Sequence, residues 1–121
     1  MTGSRELAIA AARAASSKKA QDVVVIEVRD LIVITDFFVI ATGTSDRQVR
    51  TVAQEIEAAL RAHGIKPLRR EGEREGRWVL LDFVDLVAHV FHQEQREYYG
   101  LERLWSDAPL IEWEDQAVSS G

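Results

Sequence analysis

The chain has 121 residues, a formal net charge of −5 and no cysteine, and each of these features excludes a class of protein. The length suits one domain with a single hydrophobic core. Without cysteine there is neither a disulfide framework nor a thiolate metal site or nucleophile. The negative charge argues against a broad basic surface for nucleic-acid phosphates, so we expect no DNA partner.

No apolar run approaches the roughly 20 residues that a membrane span requires. The N-terminal residues are interrupted by Arg5, Glu6 and Arg13, so they contain no apolar core of signal-peptide length. We therefore expect a cytoplasmic location and no membrane partner.

The first half of the chain predicts a helix and two strands. Alanine-rich residues 4–19 favour a helix, and the β-branched residues 22–29 favour a strand. Residues 37–42 are continuously apolar, which indicates a second strand buried on both faces in the middle of a sheet.

A GTSD run at residues 43–46 follows the second strand and predicts the start of another helix. Ser45 is the expected N-cap, and Gln48 three residues later completes a capping box. Apolar residues recur at helical spacing until Gly64, which suits the position after a helix end.

The same run suggests an alternative function, because free N–H groups at a helix start attract phosphate. A nucleotide-binding or nucleotidyltransferase-type enzyme would use this turn together with carboxylates that hold magnesium, for which Asp46, Asp82 and Asp85 are candidates. The turn lacks the glycine-rich cradle and the lysine of a phosphate loop. We therefore favour an ordinary helix start and no enzymatic activity.

The next segment predicts a third strand and a hairpin. Residues 66–70 form a strand that a helical crossover joins to the second strand, so we expect these two strands to be parallel. The charged EGEREG loop leads into the hairpin, whose two-residue turn is Val84 and Asp85.

Strand alternation then predicts the two faces of the hairpin. One face is wholly apolar and comprises Val79, Leu81, Phe83, Leu86, Ala88 and Val90. The other face mixes a large aromatic side chain with polar groups and comprises Trp78, Leu80, Asp82, Val87, His89 and Phe91. This second face suits a protein partner, unless a helix of the same chain covers Trp78; the pattern leaves both possibilities open.

Residues 93–99 predict a short helix that Gly100 ends. Tyrosines and arginines are enriched in protein interfaces, and we expect one of Tyr98 and Tyr99, not both, to be exposed. His89, His92 and Glu94 resemble a metal-binding string, but strand geometry points the two histidines to opposite faces. We predict no metal site and no cofactor.

Two long segments carry a family resemblance. WVLLDFVDLVAHVF followed by REYYGLERLW, and ITDFFVIATGTSDRQVR upstream, resemble the ribosomal silencing factors, RsfS, also called Iojap. KPLRREG fits as well, so the likeness runs from about residue 5 to Pro109.

The resemblance implies a non-enzymatic homodimer that binds the large ribosomal subunit through its ribosomal protein fourteen. Bound there, it would sterically block joining with the small subunit and so repress translation, typically when nutrients are scarce. It also implies a nucleotidyltransferase-like α/β sheet. In these factors the segment at residues 31–34 is often more polar, so Ile32 and Val33 are exposed, packed locally or part of a subunit contact.

Taken together, the sequence predicts one α/β domain at residues 1–109, with a mixed five-stranded sheet, and a loosely ordered C-terminal tail at residues 110–121. The predicted partner-binding residues combine apolar area with negative charge for a basic protein surface. They are Trp78, Leu80, Asp82, Asp85, His89, Glu97, Tyr98 and Tyr99.

Overall fold

A six-stranded mixed sheet runs through residues 3–114, the part of the chain that the computed structural model describes. The strands are β1 (Gln21–Glu27), β2 (Phe37–Gly43), β3 (Arg69–Glu71), β4 (Trp78–Asp82), β5 (Leu86–His92) and β6 (Leu110–Ile111). The helices are α1 (Ser4–Ser17), α2 (Asp46–Arg61), α3 (Gln93–Tyr99) and the single turn α4 (Leu101–Leu104).

The spatial order of the strands is β3-β4-β5-β2-β1-β6. β2 and β5 are parallel, and every other neighbouring pair is antiparallel. All seven residues of β2 are buried, because its neighbours cover both edges and side-chain layers cover both faces. The prediction of a central second strand is confirmed.

The hairpin is confirmed with its predicted turn. The Phe83 N–H donates to the Leu86 carbonyl oxygen at 2.9 Å, and Asp82 lies opposite Val87 in the register. Val84 and Asp85 are therefore the two turn residues. The predicted apolar face of the hairpin is buried throughout and belongs to the larger core cluster.

Two helices cover that face of the sheet. α2 contributes branched apolar side chains at helical spacing, whereas α1 contributes mostly alanines that are fully buried. Small side chains let the α1 backbone approach the sheet closely. This layer holds the main core of the protein.

The opposite face carries a second, smaller core. Ile26, Phe38, Ile40 and Phe91 project from the strands into it. The segment after α3 covers them, with Leu101, Trp105 and Ala108 in the same cluster, and Ile32 packs there from the β1–β2 connection. A large part of the face that was predicted to meet a partner is therefore covered by the chain itself.

Two predictions about the strands are wrong. The sheet has six strands rather than five. The third strand covers residues 69–71, lies at the sheet edge and pairs antiparallel with β4, not parallel with β2. All three of its residues are exposed, and such a polar segment fits an edge better than a sheet centre. Arg70 also reaches back to α2 and donates to Glu57, which lowers the pKa of that carboxyl.

The sixth strand comes from the segment assigned to the tail. Leu110 and Ile111 pair with β1, and the Trp113 indole N–H donates to the Val23 carbonyl oxygen at 3.0 Å. Residues 115–121 lie outside the described residues, so a loose tail stays a prediction for them.

The turn residue Val84 has a left-handed backbone, with φ of 76°. A β-branched residue is strained there, because its Cβ crowds the backbone. The Asp82 side chain holds this conformation by accepting the Val84 N–H at 2.9 Å.

We predict that Val84→Gly raises the free energy of unfolding by about 1 kcal/mol, because glycine adopts positive φ without that cost. Urea unfolding followed by circular dichroism measures the change. The matched control is Val33→Gly, at an exposed valine outside the positive-φ residues, which should give no gain. A loss of stability in Val84→Gly would contradict the strain argument.

Candidate protein-binding surface

The outer face of β4 presents Trp78, Leu80 and Asp82 by strand alternation. All three side chains are half-buried. The edge strand β3 supplies their neighbours on one side. Glu71 lies opposite Leu80, and Arg69 lies opposite Asp82. The strip nearest the sheet edge therefore stays open, while the rest of this face lies under the chain.

Two tyrosines of α3 extend this strip. The ring centroids of Trp78 and Tyr99 are 4.7 Å apart, and Tyr98 packs edge-on against Tyr99 at 5.0 Å. Tyr98 is 79% exposed and Tyr99 is 48% exposed. We call Trp78, Leu80, Tyr98 and Tyr99 the aromatic patch.

The prediction that one of the two tyrosines would be buried is wrong. The buried residue of α3 is Arg96, whose Nη1 donates to the Thr42 hydroxyl at 2.7 Å. An arginine thus occupies the inward position that the sequence pattern assigned to a tyrosine. Both tyrosines remain on the surface.

His89 lies on the same face as Trp78, on the neighbouring strand β5. The Trp78 Nε1–H donates to His89 Nδ1 at 3.2 Å, and His89 is buried among Trp78, Phe91 and Phe38. Burial lowers the pKa of His89 from 6.5 to about 4, because the charged imidazolium would lose its hydration. His89 is therefore neutral at pH 7 with its proton on Nε2, and the prediction that it contacts a partner directly does not fit its burial. Its role is to orient the indole.

The acidic residues predicted for this surface are spread along it. Glu97 is exposed on α3 beside the tyrosines, and Asp85 is exposed at the hairpin turn. Asp82 is largely engaged, since it accepts the Val84 N–H and lies 3.6 Å from Arg69. Only Glu97 lies on the same helix as the tyrosines, whereas Asp82 and Asp85 lie towards the far end of β4.

Sequence reasoning missed Glu71 and Gly72. Together with Trp78 and Leu80 they line a shallow depression of about 260 Å³. Gly72 has φ of 81°, and a Cβ there would collide with the Trp78 carbonyl oxygen, so a side chain at this position would disturb the patch. No pattern in the sequence predicts this, because the EGEREG run has the composition of any solvated loop.

The GTSD run is a helix start. Ser45 Oγ accepts the Gln48 N–H at 3.0 Å, which confirms Ser45 as the N-cap. Gln48 Oε1 accepts the N–H of Thr44, one residue before the N-cap, at 2.7 Å, so the return bond differs from that of the predicted capping box. Asp46 Oδ1 lies 3.4 Å from Nη1 of Arg77, which is the residue directly before β4. Because a strand rises about 3.3 Å per residue, roughly 16 Å of chain separates Arg77 from Asp82. The structure does not bring the three candidate magnesium ligands together.

The histidine string is also structural. His92 is buried at the start of α3, where its Nδ1 accepts the Glu94 N–H at 3.2 Å. Glu94 instead pairs with Arg77 at 2.9 Å. Within residues 3–114 no three histidine or acidic side chains are grouped as metal ligands.

Comparison with known proteins identifies the family. The model of the family "Ribosomal silencing factor during starvation" matches residues 2–120. The ribosomal silencing factor RsfS of Halalkalibacterium halodurans is 44% identical over 110 residues, which cover 91% of this chain and 94% of that protein. The chain belongs to the family of ribosomal silencing factors.

Two further relatives extend the comparison. The chloroplastic protein Iojap of Zea mays is 36% identical over 87% of this chain and 46% of that longer protein. A crystal structure of a Chromobacterium violaceum protein superposes with a TM-score of 0.84 at 31% identity, covering 87% of this chain and 88% of that one. Membership in the silencing-factor family confirms the predictions of a translation regulator and of a protein that is not an enzyme. Within the described residues, no helix has the length and apolarity needed to cross a bilayer.

The buried His89 of this silencing factor makes a pH dependence testable. Its pKa is near 6.5 when the chain is unfolded and about 4 when folded, so below pH 6.5 the unfolded chain binds the proton and the folded chain does not. Stability is therefore full above pH 6.5 and falls as the pH drops towards 4. Between pH 7.5 and 5 the loss from this group is about 2 kcal/mol.

We predict that His89→Asn loses about 2 kcal/mol less stability than the wild type between pH 7.5 and 5, because asparagine does not titrate. Its side-chain oxygen keeps an acceptor near the Nδ1 position for the Trp78 N–H. Urea unfolding at both pH values measures it. His63, exposed after the end of α2, supplies the control His63→Asn, which should keep the wild-type pH dependence. Equal pH dependence in wild type and His89→Asn would show that His89 is not the responsible group.

Proposed function

We propose that this silencing factor binds the large ribosomal subunit through its ribosomal protein fourteen, with the aromatic patch as the contact surface. Bound there, it would prevent the small subunit from joining and so repress translation in the cytoplasm. The observation that carries the proposal is an exposed aromatic patch, held in place from below, on a member of this family.

The chemistry of the patch supports binding to a protein. Tyrosine offers large contact area with a hydrogen-bonding tip, and aromatic residues are enriched in the centres of interfaces. The indole of Trp78 is held by the hydrogen bond to His89 and by the tilted contact with the Tyr99 ring. A side chain that is already ordered loses less conformational entropy on binding.

The charges around the patch support a basic protein partner. Glu97 flanks the patch and is exposed, whereas exposed Glu71 pairs with Arg69 at 3.3 Å. The whole chain has a formal charge of −5. Such a surface would repel RNA phosphates and attract lysine and arginine side chains. A basic ribosomal protein fits these charges better than ribosomal RNA does.

Steric occlusion requires no catalytic group. One bound copy per large subunit would occupy space that the small subunit needs, so inhibition would follow occupancy. Activity would then scale with affinity for the large subunit, and a variant that binds more weakly would inhibit subunit joining less.

We predict that Tyr98→Ala and Trp78→Ala each weaken binding to purified large subunits about tenfold or more, because truncating an aromatic contact at an interface centre costs more than 1 kcal/mol. Co-sedimentation over a range of concentrations gives the affinities. Sucrose-gradient analysis after adding small subunits gives the joined fraction, which should rise in both variants.

Leu110→Ala is the matched control, since Leu110 is 70% exposed on β6 at the other sheet edge and should bind as the wild type does. Circular dichroism of each variant checks folding, which matters for half-buried Trp78. Wild-type affinity in a folded Tyr98→Ala protein and a folded Trp78→Ala protein would contradict the assignment of this surface.

The proposal also includes a homodimer, as the family resemblance implies. Light scattering decides this, because a dimer has twice the chain mass of 13.6 kDa. The likeness of the sheet to that of nucleotidyltransferases stays a prediction.

A further inference from the structure

The connection between β1 and β2 holds three apolar side chains in solvent. Leu31 is 50% exposed, Ile34 is 79% exposed and Val33 is fully exposed at 102%. Scattered apolar side chains on a surface need no explanation, but a contiguous apolar group with a polar rim marks an interaction site. We call these three residues the apolar loop.

The apolar loop is held in place by the backbone around it. The N–H groups of Leu31 and Ile32 both donate to the Val28 carbonyl oxygen at 2.9 Å, and the Val28 N–H donates to the Asp36 carbonyl oxygen at 2.8 Å. Ile32 packs into the smaller core and anchors the segment. One of the four apolar residues thus fixes the loop while the other three project outward.

Acidic groups surround the apolar loop. Asp30 and Asp85 are exposed, whereas Asp36 is half-buried and its Oδ2 accepts the Ser4 hydroxyl of α1 at 3.2 Å. The nearby cation Arg29 is paired with Glu27 at 3.0 Å. The rim therefore carries an excess of negative charge around an apolar centre.

This charge selects among possible occupants. RNA and anionic lipid would be repelled by the aspartates. A second copy related by a two-fold axis would bring the same acidic rim against itself. A basic protein surface with an apolar recess complements both the rim and the centre.

The apolar loop is joined to the hairpin whose outer face carries the aromatic patch. The N–H groups of Asp36 and Phe37 both donate to the Asp85 carbonyl oxygen, at 3.0 and 3.3 Å, so the loop is tied to the hairpin turn. Trp78 and Val84 are about 20 Å apart along β4. A protein interface of about 800 Å² per partner is roughly 30 Å across, so one partner surface can cover both.

We propose that the apolar loop is a second contact with the same basic protein surface of the large subunit that receives the aromatic patch. The inference rests on the proposed function and extends it. Leu31, Val33 and Ile34 enter an apolar recess of that surface, and Asp30 and Asp85 face its lysine and arginine side chains.

The test measures the affinity for purified large subunits of two variants. The first combines Val33→Ser with Ile34→Ser, and the second is Asp30→Lys. Each is expected to bind about tenfold more weakly. The controls are Leu110→Ser, at the far sheet edge, and Glu55→Lys, on α2 beside Lys18 at the other end of α1 from Ser4; both should bind as the wild type does. Thermal unfolding checks that each variant remains folded.

Different failures have different meanings. Wild-type affinity in the Val33 and Ile34 double variant, with binding lost in Tyr98→Ala, would overturn this inference and leave the proposed function standing. If the double variant is a monomer by light scattering while the wild type is a dimer, and its affinity for the large subunit is unchanged, the apolar loop contacts a second copy instead. Binding of wild type to phosphatidylcholine and phosphatidylglycerol vesicles, lost in the double variant with affinity for the large subunit unchanged, would assign it to lipid. Absence of large-subunit binding by the wild type would overturn both proposals.

Discussion

The two-residue turn at Val84 and Asp85 fixes which side chains of β4 and β5 point to each side of the sheet. A shift of one residue in this register would exchange the two faces, so the buried apolar row and the row that carries Trp78 depend on the same turn. Asp82 stabilises the turn by accepting the Val84 N–H. The chain tolerates the strained backbone of Val84, because a strand register without this turn would bury Asp82 or expose the core.

The register also determines how the aromatic patch is built. Trp78 and His89 lie on the same face of neighbouring strands, and the indole N–H donates to buried His89. The Tyr99 ring also packs against the indole. The patch is thus a surface with one buried polar support, and the neutrality of His89 at pH 7 allows it to accept that hydrogen bond.

Alternation along the strands was enough to predict the hairpin, its turn and both of its faces, because that periodicity is a local property. The covering of His89 and Phe91 could not be predicted, since it depends on where the segment after α3 crosses the sheet. The inward position of Arg96 could not be predicted for a different reason. A two-turn helix has too few residues to show which of its sides faces the core. β3 was misplaced because a crossover helix can lead to a sheet edge as well as to a neighbouring strand, and Glu71 joined the surface only through that edge pairing.

Photo-crosslinking from position 98 tests whether the aromatic patch contacts ribosomal protein fourteen, with a benzoylphenylalanine in place of Tyr98 and purified large subunits as the target. Mass spectrometry then identifies the crosslinked partner, and the same group at position 110 serves as the reference. We expect a crosslink to ribosomal protein fourteen from position 98 and none from position 110. Crosslinks from position 98 to ribosomal RNA alone, or the same products from both positions, would contradict it.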